Sequence, residues 1–321
     1  MEIFQSTLHQ LLMMFTLMLA GYLLCKLRLL PDNVATVLSK LETYLFVPCL
    51  SLISMMNQCT VERIRQYAPL MLCCFVICIV MLAVSAVLCR LFVKADGDPQ
   101  KAYRQRIYRY ALTIANHGYV GNFLVLEIWG EVALFQYLLF SFPLGLLSST
   151  WGLIQLIPRD ESSRGWRAIK KGLFSPPMIA FFAGIFLGLF NLGRFIPSFL
   201  ISAMDSASDC MGPIAMILAG IVIGSYKLPA LLKNKKTYVC VFLRLVALPT
   251  IAVFTAYLLG AGDWGIIFAL AAFAVPIGMN TIIYPASYGG ETETGASMVL
   301  ISSVFAVVTL PLLFWLFQNL F

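Results

Sequence analysis

Charge is what this chain of 321 residues lacks: Lys, Arg, Asp and Glu make up 12% of it, against 60% hydrophobic residues. A soluble domain carries about a quarter charged residues to face water. A water-solvated fold is therefore excluded, and the solvent is a lipid bilayer. Histidine is almost missing, with only His9 and His117. Neither H-E-x-x-H nor G-x-S-x-G occurs, which removes the usual sequence signs of zinc-assisted or serine hydrolysis. Asp205 and Asp209 make only a D-x-x-x-D, a weak metal pattern, so no enzyme, no metal and no cofactor is expected. The nine cysteines lie mostly inside apolar runs without C-x-x-C spacing and read as small buried hydrophobes. The opening MEIFQSTLHQ has no basic n-region and no A-x-A site follows it, so the first apolar run reads as a retained span, not a signal peptide.

What the chain does have is apolar length. Cutting it at its charges leaves ten uncharged stretches, 3–25, 43–61, 66–89, 110–126, 132–158, 172–193, 210–226, 245–262, 264–290 and 294–321. Each is close to or above the roughly 17–25 residues that a helix needs to cross hydrocarbon. The expectation is an all-α integral membrane protein with ten transmembrane helices. An extra run, 195–204, is too short to span and reads as the outer approach to the seventh span, interrupted by Asp205 and Asp209. The net charge of +7 does not point to nucleic acid, because the basic residues follow topology. They crowd the first, third, fifth and seventh connections, and only Arg63, Arg65 and Arg194 fall on the other side. By the positive-inside rule both termini lie on the extracytoplasmic side of the cell (inner) membrane.

The most polar segment, 158–171, divides the chain into 1–157 and 172–321, five spans each. An odd number per half means that halves sharing a fold run upside down to one another, the inverted-repeat plan of many secondary transporters. Pro48 and Pro213 stand in the second span of each half, and Asn116 and Pro276 both lie fourteen residues before a Gly-Glu pair. The fourth span is short and carries NHGYVGN at its centre, residues 116–122. An extended middle would let it cross. Gly118 and Gly121 would permit the unusual backbone, and Asn116 and Asn122 would hydrogen-bond the freed groups. VPIGMNTIIYP in the ninth span repeats the feature with Pro276, Gly278 and Asn280, followed by Thr281. Two interrupted helices at corresponding positions are the best sequence pointer to a transport site. Their half-helix ends attract anions. No Lys or Arg stands at the centre of a span under this division, and Arg244 reads as snorkelling near the cytoplasmic end of the eighth, so the site is weakly positive at best.

These residues resemble the auxin efflux carrier family, in its short bacterial, malate permease-like branch. The resemblance covers essentially the whole chain. It rests on Asn116, Gly121 and the Trp129-Gly130 pair, on VPIGMNTIIYPASYGG with Pro276, Asn280, Tyr284 and Tyr288, on SMVLISSVFAVVTLP, and on SKLETYLFVPCL in the second span. The chain departs from the family pattern at His117, at Asn122 and at Phe123, where Pro is usual. The resemblance implies broken crossing helices in the fourth and ninth spans. It implies a mobile transport domain of spans 3–5 and 8–10 on a scaffold of spans 1, 2, 6 and 7, elevator-like movement, a homodimer and a carboxylate-bearing substrate. A cation-coupled carrier like the bile-acid sodium symporters is the alternative on the same general fold; a solute receptor or a channel is a more distant one.

The remaining polar residues leave coupling open. Asp205 and Asp209, one helical turn apart, read either as a proton or sodium site or as a wet vestibule and helix cap. His117 reads either as a proton-linked switch or as a neutral ring hydrogen-bonded beside the break.

Overall fold

The computed structural model describes residues 2–158, 170 and 172–320. The polar connection at 158–171 therefore falls, apart from Pro158 and Lys170, outside the described residues. Among the described residues the regular structure is helical, with one isolated β-bridge between Ala115 and Ile277.

Seven helical stretches are long and apolar enough to cross a membrane, and two shorter apolar helices, Pro176–Leu189 and Gly262–Phe273, accompany them. One of the seven, His117–Leu156, has 40 residues. At 1.5 Å per residue it would run about 60 Å, twice the hydrocarbon thickness. It does not run straight: Gly130 has φ 78 and ψ −174, values open to glycine, and the chain bends sharply there. The protein is thus a multi-pass helical membrane protein.

In chain order the helices are α1 (Glu2–Lys26), α2 (Val34–Leu41), α3 (Val47–Gln58), α4 (Val61–Phe92), α5 (Pro99–Thr113), α6 (Asn122–Leu147) and α7 (Leu153–Leu156). They continue with α8 (Pro176–Leu189), α9 (Ser198–Asp209), α10 (Met211–Gly224), α11 (Leu228–Leu232) and α12 (Lys235–Phe242). Last come α13 (Leu248–Leu258), α14 (Gly262–Phe273), α15 (Asn280–Ser287) and α16 (Glu293–Leu320). Without water between helices, close packing and not hydrophobic burial brings them together in lipid. Glycines four apart supply it twice. Gly220 and Gly224 let α10 lie against Met18, Tyr22 and Cys25 of α1, while Gly184 and Gly188 let α8 lie against Leu52, Met55 and Cys59 on and beside α3.

Several helices join end to end through a single widened turn. Glu42–Phe46 links α2 to α3 just ahead of Pro48, and Leu243–Ala247 links α12 to α13 just ahead of Pro249. A proline ring clashes with the carbonyl four residues back and removes one N–H. A π-turn before it spreads the backbone and relieves that clash, and such turns recur at functional sites. These two turns carry Glu42 and Arg244.

Candidate functional site

The two interrupted helices meet where the sequence places its amides and prolines. Helix α5 ends at Thr113, Ile114 to Asn116 are non-helical, and a π-turn over His117–Gly121 leads into α6. Helix α14 ends at Phe273, and the chain resumes helical form at Asn280. The stretches between them cross in antiparallel fashion at Ala115 and Ile277, and the Asn116 N–H donates to the Pro276 carbonyl at 2.8 Å. Gly278 lies against Ala115 and Asn116, its nearest approach the Ala115 carbonyl.

Freed backbone groups in a membrane must find partners inside the protein. The crossing supplies several from side chains. Ser302 on α16 accepts from the Ile277 N–H at 3.0 Å. The Tyr137 hydroxyl on α6 lies 3.1 Å from the His117 carbonyl and 3.3 Å from that of Ala271. The Arg244 Nη1 donates to the Phe273 carbonyl at the end of α14, and the His117 Nδ1 sits 3.2 Å from the Ala115 carbonyl, which requires a hydrogen on that nitrogen.

The position of the break differs from the expectation in three respects. The non-helical residues are 114–116, ahead of the glycines, and residues 117–121 are wound into a wide turn. Neither Gly118 nor Gly121 adopts a positive φ. Gly121 is needed for room, because a Cβ there would overlap the Tyr137 hydroxyl and crowd the Ala271 carbonyl, whereas Gly118 faces open space. The asparagine amides are also not the caps of the freed backbone. Asn280 Nδ2 donates to the Tyr110 hydroxyl at 3.2 Å, and the buried Asn122 Oδ1 has no hydrogen-bond partner. A one-residue bridge and hydroxyls from neighbouring helices do the satisfying instead.

Arg244 overturns the view of a weakly positive site. It does not snorkel; it is fully buried, and its Nε and Nη2 have no hydrogen-bond partner. Glu42 is equally hidden from the sequence: it is fully buried, and neither carboxylate oxygen has a partner. Division of the chain at charges took both residues as span ends, yet they stand inside the helical stretches Val34–Gln58 and Lys235–Leu258. The usable signal was each residue's position a turn or so ahead of a proline.

Asp205 and Asp209 are exposed on α9, and neither caps α10 with its side chain. Asn116, Pro276 and Gly278 are gathered at the crossing, with His117 beside them; Thr281 is buried and donates to the Gly278 carbonyl at 2.8 Å. A small cavity opens between the crossing and helices α1, α10 and α16. Asn116 and Pro276 supply its crossing side, and Met14, Met18 and Met216 its opposite wall. Its lining pairs one amide residue with soft apolar surface.

A multi-pass helical protein with two interrupted helices crossing inside it, and an amide opening from that crossing onto a cavity, has the build of a membrane transporter. The chain belongs to the membrane transport protein family, matched over residues 6–165 and again over 165–314, the auxin efflux carrier family that its motifs resemble. It is also 23% identical over 311 residues to an uncharacterized transporter of Methanothermobacter thermautotrophicus, covering 97% of this chain and 98% of the relative.

Proposed function

We propose that this protein is a carrier that moves a small organic anion, a carboxylate with a short apolar body, across the cell membrane by elevator-like alternating access. The observation that carries the anion is Arg244: a fully buried guanidinium beside the crossing with two unpartnered nitrogens. Asn116 at the cavity and the polar group of Tyr110, Asn280 and Ser148 complete the place where a carboxylate is held. Asn122, His117 and Thr281 belong to its surroundings, and proton or sodium coupling accompanies the anion.

The architecture behind this reading is ten spans in two inverted halves. Counting the bend at Gly130 as the boundary between two crossings, and adding the two short apolar helices, turns the seven long stretches into ten. The two family matches, each about half the chain, support a repeat. So does a local correspondence. At the end of α5 the Thr113 hydroxyl donates to Ser85 at 2.7 Å, and at the end of α14 Arg244 donates to Phe273. Ser85 and Arg244, Thr113 and Phe273, and Asn116 and Pro276 are each separated by the same number of residues to within one. Helices α1, α3, α8 and α10 form the scaffold of a homodimer in this reading, the remaining long helices move against it, and both termini face outward.

The test is uptake by liposomes containing the purified protein, with labelled acetate, pyruvate, succinate and malate under imposed proton, sodium and voltage gradients. Saturable flux stimulated by counter-substrate separates a carrier from a channel. Asn116→Ala and Asn280→Ala are each expected to abolish flux while the protein still inserts and elutes as a single species. Wild-type flux in both would remove the site.

A further inference from the structure

We propose that Glu42 is the proton-binding group of this carrier, and that protonation of Glu42 and binding of the anion favour one another. The proposal rests on the carrier reading for its second half alone.

Glu42 and Arg244 are the two fully buried residues of formal charge among the described residues. They stand on opposite bodies, Glu42 on the scaffold and Arg244 beside the crossing. Tyr119 lies in the turn that follows the crossing, and Tyr110, near the end of α5, accepts from Asn280 there. The Glu42 turn packs against α8, α9 and α10. Helix α8 and helix α10 carry no acidic or basic residue, and the two acids of α9, Asp205 and Asp209, are exposed. On its own helical stretch Lys40 is exposed and Cys49 is half-buried. From the crossing comes the Tyr119 phenol, with half-buried His117 two residues away. Among the described residues no basic side chain pairs with the Glu42 carboxylate, and neither oxygen accepts a hydrogen bond.

An unpaired carboxylate taken out of water costs several kcal/mol even after the surroundings relax. Packed as it is here, Glu42 holds its proton. The consequence concerns Arg244. With Glu42 ionised, the interior holds one buried negative and one buried positive charge, and their sum gives an anion less reason to enter. With Glu42 protonated the guanidinium is uncompensated, and a carboxylate restores neutrality. Each ligand then raises the affinity of the other by the same factor, as linkage demands. The chemistry is one O–H bond on Glu42 formed from a proton of the surrounding water and broken by returning it.

Two measurements decide the matter. Infrared spectra of the purified protein at neutral pH are expected to contain a carboxylic-acid carbonyl band that Glu42→Gln removes. This readout needs no substrate, so it stands or falls even if wild type moves none of the anions tested, the result that would sink the carrier reading alone. In liposomes with labelled malate, or whichever of the four anions is taken up, wild-type affinity is expected to fall by up to about tenfold for each unit of rising pH, the limit for one linked proton. Glu42→Gln is expected to flatten that profile and Glu42→Asp to displace it. An infrared band that survives Glu42→Gln overturns the proposal, as does a pH profile that neither Gln nor Asp moves.

Discussion

Arg244 has three nitrogens that donate, and the fold satisfies Nη1 alone. Its place at the end of α14 explains how a cation is tolerated there, because the carbonyl end of a helix carries about half a negative charge. That does not explain the fork of donors left over. A guanidinium presents paired N–H groups that match the two oxygens of a carboxylate, whereas a lysine ammonium is a point charge without that geometry. Arg244→Lys is therefore expected to weaken carboxylate binding by at least about 30-fold, the equivalent of about 2 kcal/mol for a buried charge contact. Arg244→Met should leave no saturable binding at all. Equilibrium binding of labelled anion to detergent-purified variants, checked for monodispersity, reads both. Wild-type affinity in the lysine variant would mean that the fork is not used.

At the level of helices, the glycines divide into those that make contacts and those that do not. A methyl group on Gly220 would run into the Met18 carbonyl of α1, and backbone cannot step aside as a flexible side chain can. Gly220→Ala is expected to destabilise the α1–α10 pair by about 1–3 kcal/mol, the usual cost of overpacking. Gly118→Ala meets no atom within 4 Å and no positive φ, and should be neutral. Thermal unfolding in detergent, followed by tryptophan fluorescence, is expected to lower the Tm of the first variant and leave the second at the wild-type value. The contrast also marks what was legible beforehand. Apolar length revealed the membrane, and the paired Asn, Gly and Pro clusters marked both breaks, because an interrupted helix needs unusual residues locally. Which glycine packs and which is free depends on the neighbouring helix, so Gly118 and Gly121 looked alike. Burial of Glu42 and Arg244 was hidden for the same reason. A charge ends an apolar run in sequence, but in space a π-turn can aim it at another helix.

For the molecule as a whole, the question is whether the proposed transport body slides on the proposed scaffold. Their contact includes Phe123, the residue that departs from the family's usual proline. Its ring packs onto Gly212 of α10, against a surface with no Cβ, and any methyl group there would overlap the ring. Phe123 belongs to the helix that follows the crossing, and Gly212 to α10, part of the proposed scaffold. If the crossing travels relative to the scaffold during transport, this pair must separate in every cycle; if the bodies stay fixed and only a local gate opens, it need not. Cysteines at Phe123 and Gly212, in a background cleared of the nine native cysteines, can be joined by a short bifunctional thiol reagent with a cleavable link. Flux of the labelled anion is expected to stop on joining and return on cleavage, while the same two-cysteine protein treated with a monofunctional thiol reagent keeps its flux. The joined protein should still bind anion, because the cavity beside Asn116 lies within one arrangement of the two bodies and needs no movement to form. Full flux in the joined protein would show that this contact persists through the cycle, and elevator-like sliding of the fourth and ninth spans against α10 would have to be abandoned.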